Sequence, residues 1–285
     1  MISLRTLRRR IRSVSSTQQI TRAMEMVAAA KLRRAQARVE AGRPYAGRIA
    51  EVLARLAPAA VREDHPLFQV REVKRTALVL ITGDRGLCGA YNANLIRAAE
   101  HRLRESPPGS LVLLPVGRRG RDYFRRRQWP LLEGSADPTS EGALANARDL
   151  AADLIERFTR GEVDRVEITF TRFVSALTRQ IVTDVFLPVG GARADGPEPD
   201  GDVIFEPDAR AVFAELLPRY ATARLSAAVA EALASEQSAR MVAMGAARRN
   251  AGELLDLLVL QRNRARQSTI TKELLEIVAG AEALR

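Results

Sequence analysis

The chain has 285 residues, 46% of them apolar but only 5% aromatic, with a formal net charge of +11 and one cysteine, Cys88. That length holds one or two domains, and a composition rich in Ala, Leu and Arg favours helix over an all-β fold, which needs more Val, Ile, Thr and aromatic residues. A lone cysteine excludes an intramolecular disulfide and fits a reducing compartment.

No run approaches the roughly 18 apolar residues of a membrane-spanning helix, and no signal-peptide core opens the chain. The first residues superficially match a transit peptide, being Arg-rich, Ser-bearing and free of acids before Glu25. A periodic pattern that begins at Leu4 and continues without a break argues for a structural helix instead. Residues 1–48 carry twelve Lys/Arg against two acids, Glu25 and Glu40, which is nearly the whole positive excess. One element therefore holds the charge and should meet something acidic: nucleic acid, an anionic membrane surface, or acidic loops of another protein.

The first zone, 3–57, reads as one long helix with Ser3 as its N-cap. Heptad a positions are Leu4, Ile11, Gln18, Glu25, Leu32, Val39, Ala46 and Leu53; d positions are Leu7, Val14, Thr21, Ala28, Ala35, Gly42, Ile49 and Leu56. Only Gln18, Thr21 and Glu25 depart from apolar or small residues, so the spacing predicts a coiled coil, about 80 Å long. In the polar stretch the apolar stripe shifts to Ile20, Met24 and Val27. A straight helix drifting against a strict heptad explains this, and so does a second surface for a different partner.

The second zone, 74–205, alternates strands and helices. Short apolar runs at 76–82 (TALVLIT) and 111–116 (LVLLPV) suit buried parallel strands, and 163–173 and 178–187 alternate with β-branched residues. Helices are expected near 92–105, 118–127 and 139–159, which makes an α/β domain with a mostly parallel sheet. Gly, Pro and Asp crowd 190–201, as in an exposed loop.

The third zone, 207–285, has no proline after Pro218, which is expected to kink it. Apolar residues recur at Leu225, Val229, Leu233, Met241, Met244, Ala251, Leu254, Leu258, Ile270, Leu274, Ile277 and Leu284. A helix of roughly 100 Å follows. Both terminal helices carry apolar seams, and antiparallel pairing with each other satisfies both. The expected division is 1–57, a coiled-coil helix; 74–205, the α/β domain; and 207–285, a second coiled-coil helix.

Catalytic signals are sparse. The 83–89 loop (GDRGLCG) stands between strand and helix, where α/β folds cradle phosphates, but lacks the Lys-Ser/Thr ending of a P-loop and the GxGxxG spacing. A structural or partner-contacting turn, with Asp84 and Arg85 anchoring it, is the better fit. His65 and His101 stand isolated, Cys88 follows no metal pattern, and no carboxylate pair stands out, so neither cofactor, metal nor catalytic residue is expected. The 118–127 cluster (RRGRDYFRRR) interleaves six arginines with Tyr123 and Phe124, a pattern compatible with nucleic acid or with a solvated helix face. The apolar end of the chain, beyond Ser268, Thr269 and Thr271, is unusual for a terminus and suggests a seated tip.

Several segments together resemble the γ subunit of F-type ATP synthases over essentially the whole chain. They are 11–45 (IRSVSSTQQITRAMEMVAAAKLRRAQARVEAGRPY), 81–92 (ITGDRGLCGAYN), 205–208, 233–244 (LASEQSARMVAM) and 263–284 (NRARQSTITKELLEIVAGAEAL). Two places depart from that family's pattern: Gly83 stands where Ser is usual, and 245–249 (GAARR) replaces a more polar stretch.

The resemblance implies an antiparallel two-helix coiled coil plus a Rossmann-like α/β domain. It implies a non-catalytic central rotor turning inside an α3β3 hexamer, coupling proton translocation through the membrane sector to ATP synthesis or hydrolysis at β. Partners would be the α, β and ε subunits and the membrane c-ring, with the chain peripheral on the cytoplasmic face of a bacterial plasma membrane. By the same resemblance, Met24, Arg266, Gln267, Thr271, Glu273, Ile277 and Leu284 would meet the hexamer, and Phe205 and Glu206 would lie toward the c-ring and ε. The basic N-terminal helix would face acidic loops of β. Cys88 alone cannot supply the two-cysteine regulatory insert of the chloroplast form. The competing expectations are a nucleic-acid-binding protein with a basic helical arm and an α/β enzyme.

Overall fold

The computed structural model describes residues 3–62, 65–132, 140–189, 206 and 208–282; the expected 190–201 loop lies outside them. Helix α1 runs Leu4–Arg62, strand β1 Thr76–Ile81, α2 Tyr91–Glu105, β2 Leu111–Val116 and α3 Arg118–Arg126. There follow α4 Ser140–Ala145, α5 Ala147–Thr159, β3 Arg165–Phe173, β4 Arg179–Leu187 and α6 Ala209–Glu282. The helix expected over 139–159 is two helices, separated at Asn146, whose φ of −105° and ψ of 25° leave the helical region. Helix α6 runs on through Pro218. Its first turn is capped by Asp208, whose carboxylate accepts from the Ala211 amide at 2.8 Å; Ser3 does the same for α1, accepting from Thr6 N at 3.2 Å. Each such cap is worth about 1 kcal/mol.

Two compact units make up the chain, one of residues 29–240 and one of the residues up to 28 with those from 241 onward. In the larger unit the sheet order is β2-β1-β3-β4, with β1 parallel to β2 and β3 and β4 antiparallel to β3. Strands β1 and β2 are buried at every position because helices cover both faces. Successive side chains alternate between the two faces. Ala77, Val79 and Ile81 enter one core with Leu150, Leu154 and Phe158 of α5, Leu225 and Val229 of α6, and Ile49 and Leu53 of α1. Leu78 and Leu80 enter the other, with Leu95, Ala99 and Leu103 of α2 and Phe124 of α3. Edge strand β4 is partly or fully exposed from Arg179 to Val185 and buried only at Phe186 and Leu187, as a sheet margin allows.

In the smaller unit the two chain ends pair side by side. Arg248 Nε donates to Glu25 Oε2 at 2.8 Å, and a Cβ at Gly252 would stand 3.0 Å from Gln18 Nε2. Ascending α1 thus means descending α6, and the pair is antiparallel. Leu7, Thr21 and Ala28 are buried there, opposite buried Met244, Ala251 and Leu258. These are the heptad positions, so the seam follows the predicted register.

Candidate functional site

The seam keeps its register through the polar stretch. Gln18, Thr21 and Glu25 remain wholly or partly buried, while Ile20 and Val27 are each 57% exposed and Met24 is half-buried. Drift would have carried Ile20 and Val27 into the seam and Thr21 out of it. The apolar stripe is therefore a second, outward surface of α1. Arg5, Arg8, Arg9, Arg10, Arg12 and Arg22 are also exposed. A helix that pairs along its heptad face presents its charge on the others.

Beyond Ala265 the seam ends. Every residue from 266 to 279 is exposed, including Arg266, Gln267, Thr271 and Glu273. Apolar side chains share that exposure: Leu274 at 58%, Leu275 at 64%, Ile277 at 68% and Val278 at 61%. In the antiparallel pair, α1 begins at Leu4, and among the described residues no helix lies against the continuing α6. Leu284 and Phe205 lie outside the described residues; Glu206 is exposed.

The 83–89 loop is a turn held by hydrogen bonds. Asp84 Oδ1 accepts from Arg118 N at 3.0 Å. Asn92 Oδ1 accepts from Gly83 N at 2.8 Å, and Asn92 Nδ2 donates to Arg85 O at 3.3 Å. Leu87 and Gly89 take positive φ, 62° and 59°, which tightens the chain before α2. The Arg85 side chain is exposed. Cys88 is buried, and burial first, then the Glu236 carboxylate, push its thiol above the usual range. That disfavours the reactive thiolate.

The arginine-rich helix α3 spends its aromatics internally. Phe124 lies fully in the core. Tyr123 donates to Glu100 Oε1 at 2.7 Å and is covered by Arg127, whose guanidinium carbon stands 3.7 Å from the ring centre. Neither ring is free to stack on bases, which removes half of the pattern that suggested nucleic acid.

One constellation lies in a segment that carries the family resemblance, 233–244, but its interior role was not legible there. In α6, Ser235, Glu236, Ser238 and Arg240 are buried within the larger unit. Arg240 Nη2 lies 2.5 Å from Glu236 Oε1, and its Nε and Nη2 also reach Gly86 O at 3.4 and 3.3 Å. Charged residues four apart on a helix usually mark a solvated face, so only the surrounding fold reveals this pair as interior.

The ATP synthase family model matches residues 3–284. The chain is 50% identical to the ATP synthase gamma chain of Moorella thermoacetica, with 100% of both chains covered. The chain belongs to the ATP synthase gamma-chain family. The fold is shared with solved structures at lower identity. One is a chain of the Euglena gracilis mitochondrial ATP synthase (OSCP, F1 and c-ring), at TM-score 0.65 and 20% identity over 99% of this chain and 94% of that one. Another is a chain of the Tetrahymena thermophila mitochondrial ATP synthase central stalk and c-ring, at TM-score 0.56 and 24% identity over 80% and 99%.

The structure gives the surroundings of both departures. A Cβ at Gly83 would lie 2.7 Å from Glu236 Cδ, the far end of a flexible side chain. In 245–249, Arg248 supplies the partner of Glu25, and a Cβ at Gly245 would stand 3.0 Å from the same carboxylate.

Proposed function

We propose that this chain is the central-stalk rotor of an F-type ATP synthase, turning within an α3β3 hexamer and coupling proton translocation to ATP synthesis or hydrolysis at the β subunits. The chain itself does not catalyse. Its two terminal helices form the shaft, and its α/β body stands on the c-ring and ε side. The observation that carries this is the unpaired end of α6, where a helix rich in Leu, Ile and Val stays exposed on all sides. Such a surface calls for a surrounding partner. Family membership names the assembly that supplies one.

In this reading Met24, Arg266, Gln267, Thr271, Glu273, Ile277 and Leu284 contact the hexamer. Phe205 and Glu206 lie toward the c-ring and ε, and the turn of Asp84, Arg85 and Cys88 stabilises the body. The outward arginines of α1 face acidic loops of β, where steering and sign matching favour contact. No helix among the described residues is long and apolar enough to cross a membrane. Attachment to the cytoplasmic face of a bacterial plasma membrane is then peripheral, through the complex. Rotation presents a different face of an asymmetric shaft to each β site, biasing each between conformations in turn.

The test is co-purification of the tagged chain with α and β from native membranes, followed by deletion of residues 277–285. The rotor reading expects a stoichiometric complex with ATPase activity, and looser assembly or coupling after deletion while the α/β body stays folded. Tight nucleic-acid binding without α and β, or loss of the whole fold on deletion, would contradict it.

A further inference from the structure

A rotor must transmit twist between the part that is driven and the part that does the work. In this chain that passes along α6, which is one unbroken helix from Ala209 to Glu282. An apolar contact resists separation of two surfaces but is non-directional, and tolerates small rotation of a helix about its own axis. Hydrogen bonds are directional and weaken steeply with misalignment.

Upstream, α6 meets the sheet through apolar residues such as Leu225 and Val229. At 231–240 the contact changes character. Glu231 Oε2 accepts from Phe173 N at 3.3 Å, and Ala232 O accepts from Tyr91 OH at 3.0 Å. Ser235 Oγ donates to Thr171 O at 3.0 Å. Ser238 Oγ donates to Ala176 O at 2.6 Å and accepts from Arg179 Nη1 at 2.9 Å. Arg240 bridges Glu236 and the Gly86 carbonyl. The partners come from β3, β4, the turn between them, α2 and the 83–89 loop, so the bonds reach α6 along a broad arc of its circumference.

We propose that residues 231–240 of α6 are a torque key: an arc of directional polar bonds that fixes the azimuth of the helix against the α/β body, with Glu236 and Arg240 as its positioning residues. This rests on the rotor function proposed above. Gly83 lies against the key, where a Cβ would stand 2.7 Å from Glu236 Cδ and the carboxylate would shift to admit it. Turning α6 within its socket would break several of these bonds together, whereas an apolar socket would let it slip under load.

The test uses the full complex reconstituted into lipid vesicles, with ATP hydrolysis and proton pumping measured side by side and the melting temperature of each variant recorded. Glu236→Met/Arg240→Met replaces a buried ion pair with apolar side chains, an exchange that is often neutral or stabilising. The key predicts that this double variant assembles, melts as high as wild type and hydrolyses ATP, yet pumps fewer protons per ATP. Arg240→Lys keeps the charge but cannot span both Glu236 and Gly86, and should lie between the two. A wild-type pumping ratio in the stable double variant overturns the key and leaves the pair a packing feature. If the double variant melts early, Arg240→Lys decides: a wild-type ratio there overturns the key equally. Failure of the wild-type chain to assemble and pump would overturn the rotor function itself, which separates the two outcomes.

Discussion

Replacing Leu274 and Ile277 by Gln should weaken assembly with the α and β partners while leaving the isolated chain as stable as before. Full burial of a Leu or Ile side chain stabilises by about 1.5–3 kcal/mol. These two are 58% and 68% exposed in the free chain, so more than half of that gain is still to come. That leaves about 1–2 kcal/mol for each. Area converts imperfectly into affinity because ordering and desolvation offset part of it, so the lower end applies, about 2 kcal/mol for the pair. At about 1.4 kcal/mol per tenfold, affinity should fall roughly thirtyfold. A titration of labelled chain into an α and β mixture measures this, with thermal melting of the free chain as control. Unchanged affinity would refute the seated-tip reasoning, and so would a large loss of stability in the free chain.

Other expectations follow from single contacts. Arg102 holds buried Glu167 by two bonds of 3.0 and 2.9 Å. Arg102→Met should cost the body about 2–3 kcal/mol in chemical denaturation, below the full cost of an unpaired buried charge because Arg102 is one-third exposed and Arg165 Nη1 remains 3.8 Å from Glu167 Oε1; a cost under 1 kcal/mol would contradict the bidentate account. The Glu25–Arg248 pair is 29% and 39% exposed. Glu25→Gln should therefore change stability by no more than about 1 kcal/mol, with a weaker effect at high salt. Cys88 should resist alkylation at neutral pH in the folded chain and react quickly once denatured. Because its folded thiol titrates above the unfolded one, its protonated form favours folding, and that contribution is lost as pH rises through the folded pKa. Gly117 sits at φ 94° beside the Thr82 carbonyl, so Gly117→Ala should destabilise the body by several kcal/mol, on the order of the strain of a disfavoured backbone plus a clash; wild-type melting would contradict that.

Much of the fold was legible because burial and pattern coincide. Strands β1 and β2 are covered on both faces, so they read as unbroken apolar runs at 76–81 and 111–116. The α1 seam was legible even where it turns polar, since Gln18, Thr21 and Glu25 keep heptad spacing; only the structure separates the outward Ile20 and Val27 from a drifting seam. The direction of β4 was not legible, because an alternating edge strand carries the same pattern in either orientation. Nor was the break at Asn146, where apolar periodicity continues across a single non-helical residue. The Glu236–Arg240 pair escaped because its spacing looks like solvated helix surface. Its interior status comes from the distant 83–89 loop, whose Gly86 carbonyl accepts from Arg240, and no local pattern reports that.

The most direct measurement attaches a bead to the body through Arg126→Cys, in a Cys88→Ala background, with the α and β partners fixed to glass and ATP supplied. The account predicts sustained rotation in one direction that stops when ATP is withdrawn. Steady ATP hydrolysis with a stationary or randomly jittering bead would contradict it.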